Sequence, residues 1–167
     1  MAVILSVTVM GTAAACSEKS IAIPDDFCRV PVQTLSPLVP DGDSLKQDYT
    51  ALEARPGAAC NLWVDSHNVL SANVTLWDRA PDPTNWNEVG NQYKYVAQRK
   101  VAFAGHAAIG SDHAMVEATC STHTGYLSVS LSLSGDRVED TPTGYKKLQR
   151  FIDDFVPKET KKFDCTK

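Results

Sequence analysis

The segment YLSVSLSL, residues 126–133, alternates between apolar residues and serines with a period of two after its first tyrosine. Successive side chains of a β-strand point to opposite faces of a sheet, so this pattern predicts a strand with one buried face. Leu127, Val129 and Leu131 would lie on the buried face, and the serines would lie on the other. Antiparallel sheets commonly have one covered and one solvated face, so the rest of the chain must supply the cover.

Residues 60–77 show the same alternation on both sides of a turn. Paired residues of neighbouring strands lie on the same face of a sheet. The apolar positions of both strands carry even residue numbers, so they share a face only if the two residue numbers of each pair sum to an even value. This condition predicts a three-residue turn, Ser66-His67-Asn68. Trp63 and Trp77 then fall on the polar face, about 20 Å apart along the sheet at about 3.3 Å per residue. Further strands are predicted at residues 101–104 and 114–120.

Two stretches have the spacing of amphipathic helices. In residues 82–98 the apolar positions recur at steps of three and four, at Trp86, Val89, Tyr93 and Val96. Residues 141–156 repeat the pattern and end before Pro157, which cannot continue the backbone hydrogen bonds of a helix. The sequence therefore predicts an α+β fold, in which an antiparallel sheet of four to five strands is covered on one face by two main helices.

The chain starts with MAVILSVTVMGTAAAC, an uncharged apolar run followed by small residues and a cysteine. The run is about half as long as a membrane-spanning helix requires and fits the apolar region of a signal peptide. Its end resembles the lipobox of bacterial lipoproteins, in which the cysteine is acylated and becomes the new N-terminus. We therefore expect a lipoprotein signal peptide at residues 1–15, lipidation at Cys16, a tether at residues 16–24 and one domain at residues 25–167. The alternative is ordinary secretion with cleavage after Ala15.

The number of cysteines favours lipidation over ordinary secretion. An exported chain with five cysteines has one that cannot pair within the chain. Lipidation of Cys16 accounts for that one, and the four others are then expected to form two disulfides, at Cys28, Cys60, Cys120 and Cys165.

Composition narrows the class of partner. The formal net charge is −4, and no basic stripe interleaved with aromatic residues occurs in the sequence. Proteins that bind nucleic acid usually concentrate positive charge in such a stripe, so we expect no nucleic-acid partner. The hydrophobic content of 43% and the charged content of 22% are ordinary for a folded domain.

A resemblance to a known group is carried by five segments, AAAC, DDFCRVPVQTLSPL, CNLWV, GHAA and RFIDDFVPKETKKFDC. In these segments the chain resembles small uncharacterised actinobacterial cell-envelope lipoproteins that share a domain of unknown function. The resemblance implies a PsbP-like α+β fold and a lipid anchor on the extracytoplasmic face of the cell membrane. It supplies no catalytic residues.

Four cysteines allow three disulfide connectivities. Cys60 lies on the apolar side of its strand, where the helical turn at Cys28 would dock, and the resembling lipoproteins often hold these two cysteines without the later pair. Cys120 also lies on an apolar side, so Cys165 could tie the tail after the last helix to the sheet. The favoured pairing is therefore Cys28 with Cys60 and Cys120 with Cys165. In the alternative, Cys60 pairs with Cys120 and Cys28 with Cys165.

Residues that could carry catalysis do not form a recognisable pattern. The four histidines lack the spacing of metal ligands, so no metal or other cofactor is predicted. His113 and His123 flank a predicted strand pair and could meet in space. Glu53 and Glu117 are a possible carboxylate pair, but the sequence does not fix their separation.

The leading hypothesis is a lipid-anchored extracytoplasmic module of the bacterial cell envelope that binds a partner or assists another protein, without evident catalytic activity. Its expected partners are the membrane, through the N-terminal lipid, and an envelope protein or polysaccharide. One alternative is a glycan-binding module of the cell wall, with Trp63 and Trp77 as possible ligand contacts. Another is a hydrolase whose site the sequence does not reveal.

Overall fold

The first described part of the chain forms a small hairpin and two short helical turns. The computed structural model describes residues 21–23, 26–53, 55–82, 84–93 and 95–166. Strands β1 (Asp26–Phe27) and β2 (Val30–Pro31) pair around a two-residue turn at Cys28 and Arg29. Helix α1 (Val32–Leu35) follows and runs into a 3₁₀ turn at Ser36–Leu38. The predicted signal peptide and Cys16 lie outside the described residues, and so does most of the predicted tether.

The main structure is one antiparallel sheet of seven strands in the order β3-β4-β5-β9-β8-β7-β6. Neighbouring strands are antiparallel throughout. Its strands are β3 (Leu45–Ala51), β4 (Gly57–Val64), β5 (His67–Trp77), β6 (Ala97–Arg99), β7 (Gly105–Ile109), β8 (His113–Thr119) and β9 (Tyr126–Leu133).

The sheet has one apolar face, here named the inner face, which α3 (Tyr145–Lys162) covers. Val74, Val129 and Val116 are neighbours in a row across β5, β9 and β8, and all three are buried in the core. The apolar stripe of α3 packs into the same core, together with residues of α1 and the 3₁₀ turn. Its fully buried apolar members are Leu148, Phe151, Ile152, Phe155 and Val156.

The predicted fold class is wrong in its number of strands. The structure has seven strands in the main sheet instead of four to five. Strand β3 was missed because it is an edge strand whose side chains are mostly exposed, so its sequence shows no apolar alternation. The strand predicted at residues 101–104 is replaced by β6 and β7 on either side of that segment.

The predicted cover of two main helices on one face is also wrong. Helix α2 (Trp86–Asn91) has six residues, none of them buried, and begins at Asn85, whose side chain accepts a hydrogen bond from the Glu88 amide. Trp86 contacts His106, a neighbour of Glu117 on the polar side of the sheet, here named the outer face. The segment therefore packs on the face opposite α3. Gly90 has low helix propensity and Tyr95 has a φ of +61°, so the helix cannot extend to residue 98.

The predicted three-residue hairpin turn is a two-residue turn in the structure. Asp65 and Ser66 have φ of +47° and +68°, the conformation of a type I′ turn. The register then shifts at an irregularity between Leu62 and Trp63, so that Leu62 pairs with Leu70. The irregularity brings both apolar rows to the inner face. The parity requirement was correct, and a bulge satisfies it instead of a longer turn.

Helix α3 continues through Pro157 and ends at Lys162, six residues beyond the last residue predicted for it. Glu159 and Thr160 are buried beyond the proline, so packing continues along this last part of the helix. The Thr160 hydroxyl donates a hydrogen bond of 2.9 Å to the carbonyl of Pro157. Tertiary packing thus outweighs the missing backbone donor of the proline.

Two disulfides fasten the ends of the described chain to the sheet. They join Cys28 to Cys60 and Cys120 to Cys165, the pairing favoured by the sequence over its rival. The first attaches the N-terminal hairpin to β4, and the second attaches the segment after α3 to the end of β8. Within the described residues, no helix has the length and apolar character needed to cross a membrane.

Candidate functional site

Trp77, one of the two predicted ligand contacts, is occupied by interactions within the protein. Its ring stacks on Tyr126, with centroids 6.1 Å apart, and its indole N–H donates to the Ser128 hydroxyl at 3.0 Å. The guanidinium carbons of Arg55 and Arg79 lie 4.8 and 5.8 Å from the ring centroid. Cation–π contacts of this kind hold an aromatic ring in place. Trp77 is therefore mainly a packing residue at the end of β5.

Trp63, the other predicted ligand contact, is half-buried and lines a cavity of about 340 Å³ with Ser44, Lys46 and Ser66. No ring, cation or hydrogen-bonding group contacts its indole among the residues that the structure describes. The cavity thus combines one aromatic surface with two hydroxyls and one ammonium group. This set of groups can stack on a ring and hydrogen-bond to its polar substituents.

One wall of the Trp63 cavity is fixed by the Asp65 carboxylate. Its oxygens accept hydrogen bonds from the backbone amides of Asp43 and Ser44, at 3.1 and 2.8 Å, and from the Ser44 hydroxyl at 3.0 Å. These donors, the Asp43 amide first, lower the pKa of Asp65 below its ordinary value. The loop before β3 is therefore held against the β4–β5 turn.

The two tryptophans do not form one platform. Trp63 pairs with Asn68 in β5, and Trp77 lies nine positions further along that strand. The separation is about 30 Å at about 3.3 Å per residue, so a small ligand cannot contact both. The prediction that they lie far apart is correct, and the register shift makes the distance greater than expected.

The histidines suggested for a hidden catalytic site are also apart. His113 begins β8, whereas His123 follows the end of that strand and accepts a hydrogen bond from the Gly125 amide at 3.0 Å. His113 stacks on Tyr93 with centroids 4.1 Å apart, and its Nδ1 lies 3.0 Å from Asp112 Oδ2. In the described part of the chain, no hydroxyl hydrogen-bonds to His113 and no group of three metal-ligating side chains occurs.

Glu53 and Glu117 do not form a carboxylate pair. Glu53 follows β3 at one edge of the sheet, and Glu117 lies in β8, four strands away. At about 4.8 Å between neighbouring strands, the two are about 19 Å apart. Glu117 accepts a hydrogen bond from the Thr84 hydroxyl, which fastens the segment before α2 to the outer face.

A group of cations that the sequence did not single out converges beside the Cys28–Cys60 disulfide. Arg29, Lys158, Lys161 and Lys162 line a cavity of about 610 Å³, which we name the basic cavity. The three lysines have the spacing i, i+3, i+4 and so share one face of α3. In the sequence these lysines are interleaved with acidic residues, which is typical of a solvated face, and nothing there places Arg29 beside them.

Beneath the basic cavity, a hydrogen-bonded chain links three side chains. Lys162 donates to the phenol oxygen of Tyr49, and the Tyr49 hydroxyl donates to Glu159 Oε2 at 2.9 Å. Glu159 is fully buried, and its other oxygen has no hydrogen-bond partner. Burial, and then the charge of Glu159, raises the pKa of Tyr49, whereas burial lowers the pKa of Lys162.

The environment of the protein follows from its disulfides. Two disulfides in one small domain indicate an oxidising location, either extracytoplasmic or secreted, because cytosolic thiols are kept reduced. No protein-family model, curated protein or solved structure matches this chain.

Proposed function

We propose that this protein is a lipid-anchored binding module on the extracytoplasmic face of a bacterial cell membrane. The observation that carries the proposal is the use of the cysteines. Four of the five pair in disulfides, and the fifth, Cys16, follows the small residues that precede a lipoprotein cleavage site. Acylation of Cys16 would use the remaining thiol and attach the domain to the membrane.

The open outer face supports binding over catalysis as the role of the anchored domain. Asn73, Ser130 and Met115 are neighbours across β5, β9 and β8, and all three are exposed. Such a surface offers hydroxyl, amide and apolar groups without an activated nucleophile. The partner would be an envelope protein or polysaccharide.

Membrane fractionation tests the anchor. The wild-type protein should partition into membranes and incorporate a labelled palmitate analogue, because two or more acyl chains give stable anchoring. Cys16→Ala should lose both the label and the membrane association. Ser17→Ala, which changes the next residue and keeps the thiol, is the control and should behave like wild type.

Retention of Cys16→Ala in the membrane fraction, without label, would contradict the proposal. Release of both variants to the same extent would instead indicate ordinary secretion with cleavage after Ala15. Unreduced peptide mapping should recover the Cys28–Cys60 and Cys120–Cys165 peptides in every variant, which verifies that the domain is folded.

Binding of a cell-wall glycan is a second candidate function, favoured by the unoccupied Trp63 indole between two serine hydroxyls. Cell-wall oligosaccharides should then change tryptophan emission in the wild type and in Trp77→Phe, but not in Trp63→Phe. The Trp77 variant is the matched control because that ring contacts Tyr126 and two arginines within the protein. Unchanged emission of the wild type across a panel of oligosaccharides would exclude this function.

A further inference from the structure

We propose that the basic cavity is a binding site for a phosphate group. Arg29, Lys158, Lys161 and Lys162 would hold its oxygens by charge-assisted hydrogen bonds. The site does not depend on acylation of Cys16, so it can be tested independently of the proposed anchor.

The cations come from two elements that the fold brings together. The lysines lie on the last turns of α3, whereas Arg29 lies in the turn between β1 and β2, more than 120 residues earlier in the chain. The Cys28–Cys60 disulfide anchors that turn, and the Lys158 ammonium donates a hydrogen bond to the Arg29 carbonyl. The turn that carries Arg29 is therefore attached to the helix that carries the lysines before any ligand binds, which reduces the entropy cost of binding.

Arg29 adopts a conformation that is unfavourable for its residue type. Its φ is +62° and that of Cys28 is +46°, in the left-handed region that L-residues with a β-carbon adopt only at a cost in free energy. Neither position holds a glycine, although glycine would adopt this turn without strain. The strained turn therefore places the Arg29 side chain beside the lysines of the basic cavity.

Within the described part of the protein, three of the four cations of the basic cavity are exposed, whereas Lys162 is hydrogen-bonded to Tyr49 and its ammonium lies 4.0 Å from the centroid of that ring. None of the four cations forms an ion pair there, whereas Lys147, near the start of α3, pairs with Glu139 at 2.7 Å. Glu159, whose charge acts on Lys162, is buried and hydrogen-bonded to Tyr49. Unpaired positive charge in one cavity of a chain whose formal net charge is −4 indicates an anionic ligand.

The helix dipole explains only part of this cluster. Cations at the last turn of a helix are favoured by its negative end, which accounts for Lys161 and Lys162. Lys158 lies a full turn earlier, and Arg29 belongs to another element. Lys158 also holds the turn through its hydrogen bond to the Arg29 carbonyl, whereas neither role applies to the Arg29 guanidinium, which a ligand accounts for better.

A phosphate group fits this set of donors. Several acceptor oxygens on one doubly charged centre match a guanidinium fork together with several ammonium groups. The cavity of about 610 Å³ is wide and open enough for a phosphate that belongs to a larger molecule. The same chemistry occurs in an anionic phospholipid headgroup and in a soluble phosphate compound.

Two probes distinguish those sources, both used with the full chain carrying Cys16→Ala so that no acyl chain contributes. The first is inorganic phosphate, followed by backbone amide shifts in NMR. The second is sedimentation with phosphatidylcholine vesicles that either contain or lack phosphatidylglycerol. The amides of Arg29 and residues 158–162 should shift on binding, and binding should weaken as salt is raised.

Removing two charges at exposed positions should reduce the affinity. Lys158→Gln/Lys161→Gln should bind the active probe at least about tenfold more weakly, a change of about 1.4 kcal/mol, because two charge-assisted hydrogen bonds are lost. Lys100→Gln/Lys146→Gln removes the same charge at exposed positions outside the cavity and should bind like the parent. If the first variant does not fold, Lys161→Gln alone carries the test with a loss of several-fold.

Each outcome decides the proposal. Binding of phosphate alone supports a soluble ligand, and binding only to vesicles with phosphatidylglycerol supports a lipid headgroup. Binding of both probes supports a phosphate site that accepts a soluble phosphate compound as well as a lipid headgroup. No binding of either probe, or equal loss in the cavity variant and the control variant, overturns the proposal.

Discussion

The two faces of the sheet differ in what they contact, although they alternate along the same strands. Leu131 on the inner face is 1% exposed and packs in the core beneath α3, whereas the adjacent Ser130 on the outer face is exposed. Among the described residues, the inner face is covered by a helix of 18 residues, and the outer face only by the segment around α2, a helix of six residues. Stability is therefore expected to depend on the inner face, which leaves the outer face free to vary or to bind.

The largest effect that tests this comparison is expected for Leu131→Ala. Truncation of a fully buried leucine removes apolar contacts and leaves a cavity, so it should lower the free energy of unfolding by about 2–5 kcal/mol. Ser130→Ala is the matched control, because the next residue faces solvent and should change stability by less than about 0.5 kcal/mol. Urea unfolding of both variants measures the difference.

Equal destabilisation by the two variants would show that both faces are buried in solution. The outer face would then be covered by something other than the segment around α2. A stable Leu131→Ala variant would instead mean that α3 does not pack on the sheet as described.

The inner face was largely predictable from the sequence, because burial on one side of a strand produces a period of two. Leu127, Val129 and Leu131 were assigned to it on that pattern, and all three are buried. The covering helices were not predictable to the same degree. An apolar stripe indicates that one side of a helix is buried, but it does not indicate which face of the sheet that side contacts. Residues 82–98 were therefore assigned to the wrong face.

The second-largest effect on stability is expected for Tyr49→Phe. Tyr49 lies at the edge of the inner face. Tyr49→Phe removes the hydroxyl that donates to Glu159 and leaves a buried carboxylate without that partner. The loss of a donor to a buried group should cost about 1–3 kcal/mol at neutral pH. Tyr93→Phe is the matched control, because Tyr93 is equally exposed, at 38%, and contacts His113 with its ring.

The same substitution should change the dependence of stability on alkaline pH. The pKa of Tyr49 is raised in the folded state from its ordinary value of 10.0, so the folded protein holds this proton more tightly than the unfolded chain. Its contribution is complete below pH 10 and is lost as the pH rises above that value. The pKa of Lys162 is lowered from 10.5, which raises stability with pH up to that value and adds no dependence above it.

Thermal unfolding should therefore show a steep fall in midpoint above pH 10.5 in the wild type and a shallower fall in Tyr49→Phe. The fall should not vanish, because burial also raises the pKa of Tyr126. Identical alkaline profiles in the two proteins would show that neither burial nor Glu159 raises the pKa of Tyr49 in the folded state.

The candidate sites were predictable to different degrees for physical reasons. The use of Cys16 and of the two disulfides depends on the count and local context of cysteines, which the sequence displays directly. The basic cavity depends on a contact between Arg29 and the end of α3, which only the folded chain brings together. Trp63 was singled out on its strand face, but the cavity that it lines with Ser44 and Ser66 forms only in the folded chain.

The smallest effect is expected for Trp86→Ala, which tests whether the outer cover is weaker than the inner one. Helix α2 buries no side chain, and the segment around it contacts the sheet through Trp86 beside His106, the Thr84 hydroxyl bonded to Glu117 and Tyr93 stacked on His113. Few buried contacts imply that the segment opens locally at a low free-energy cost. In the wild type, amide hydrogen exchange should therefore be faster in α2 than in α3.

Trp86→Ala should accelerate exchange at residues 86–91 while lowering global stability by only about 1 kcal/mol. Exchange that speeds up equally in α2 and α3 would show that the segment belongs to the cooperative core and that the two faces do not differ in stability.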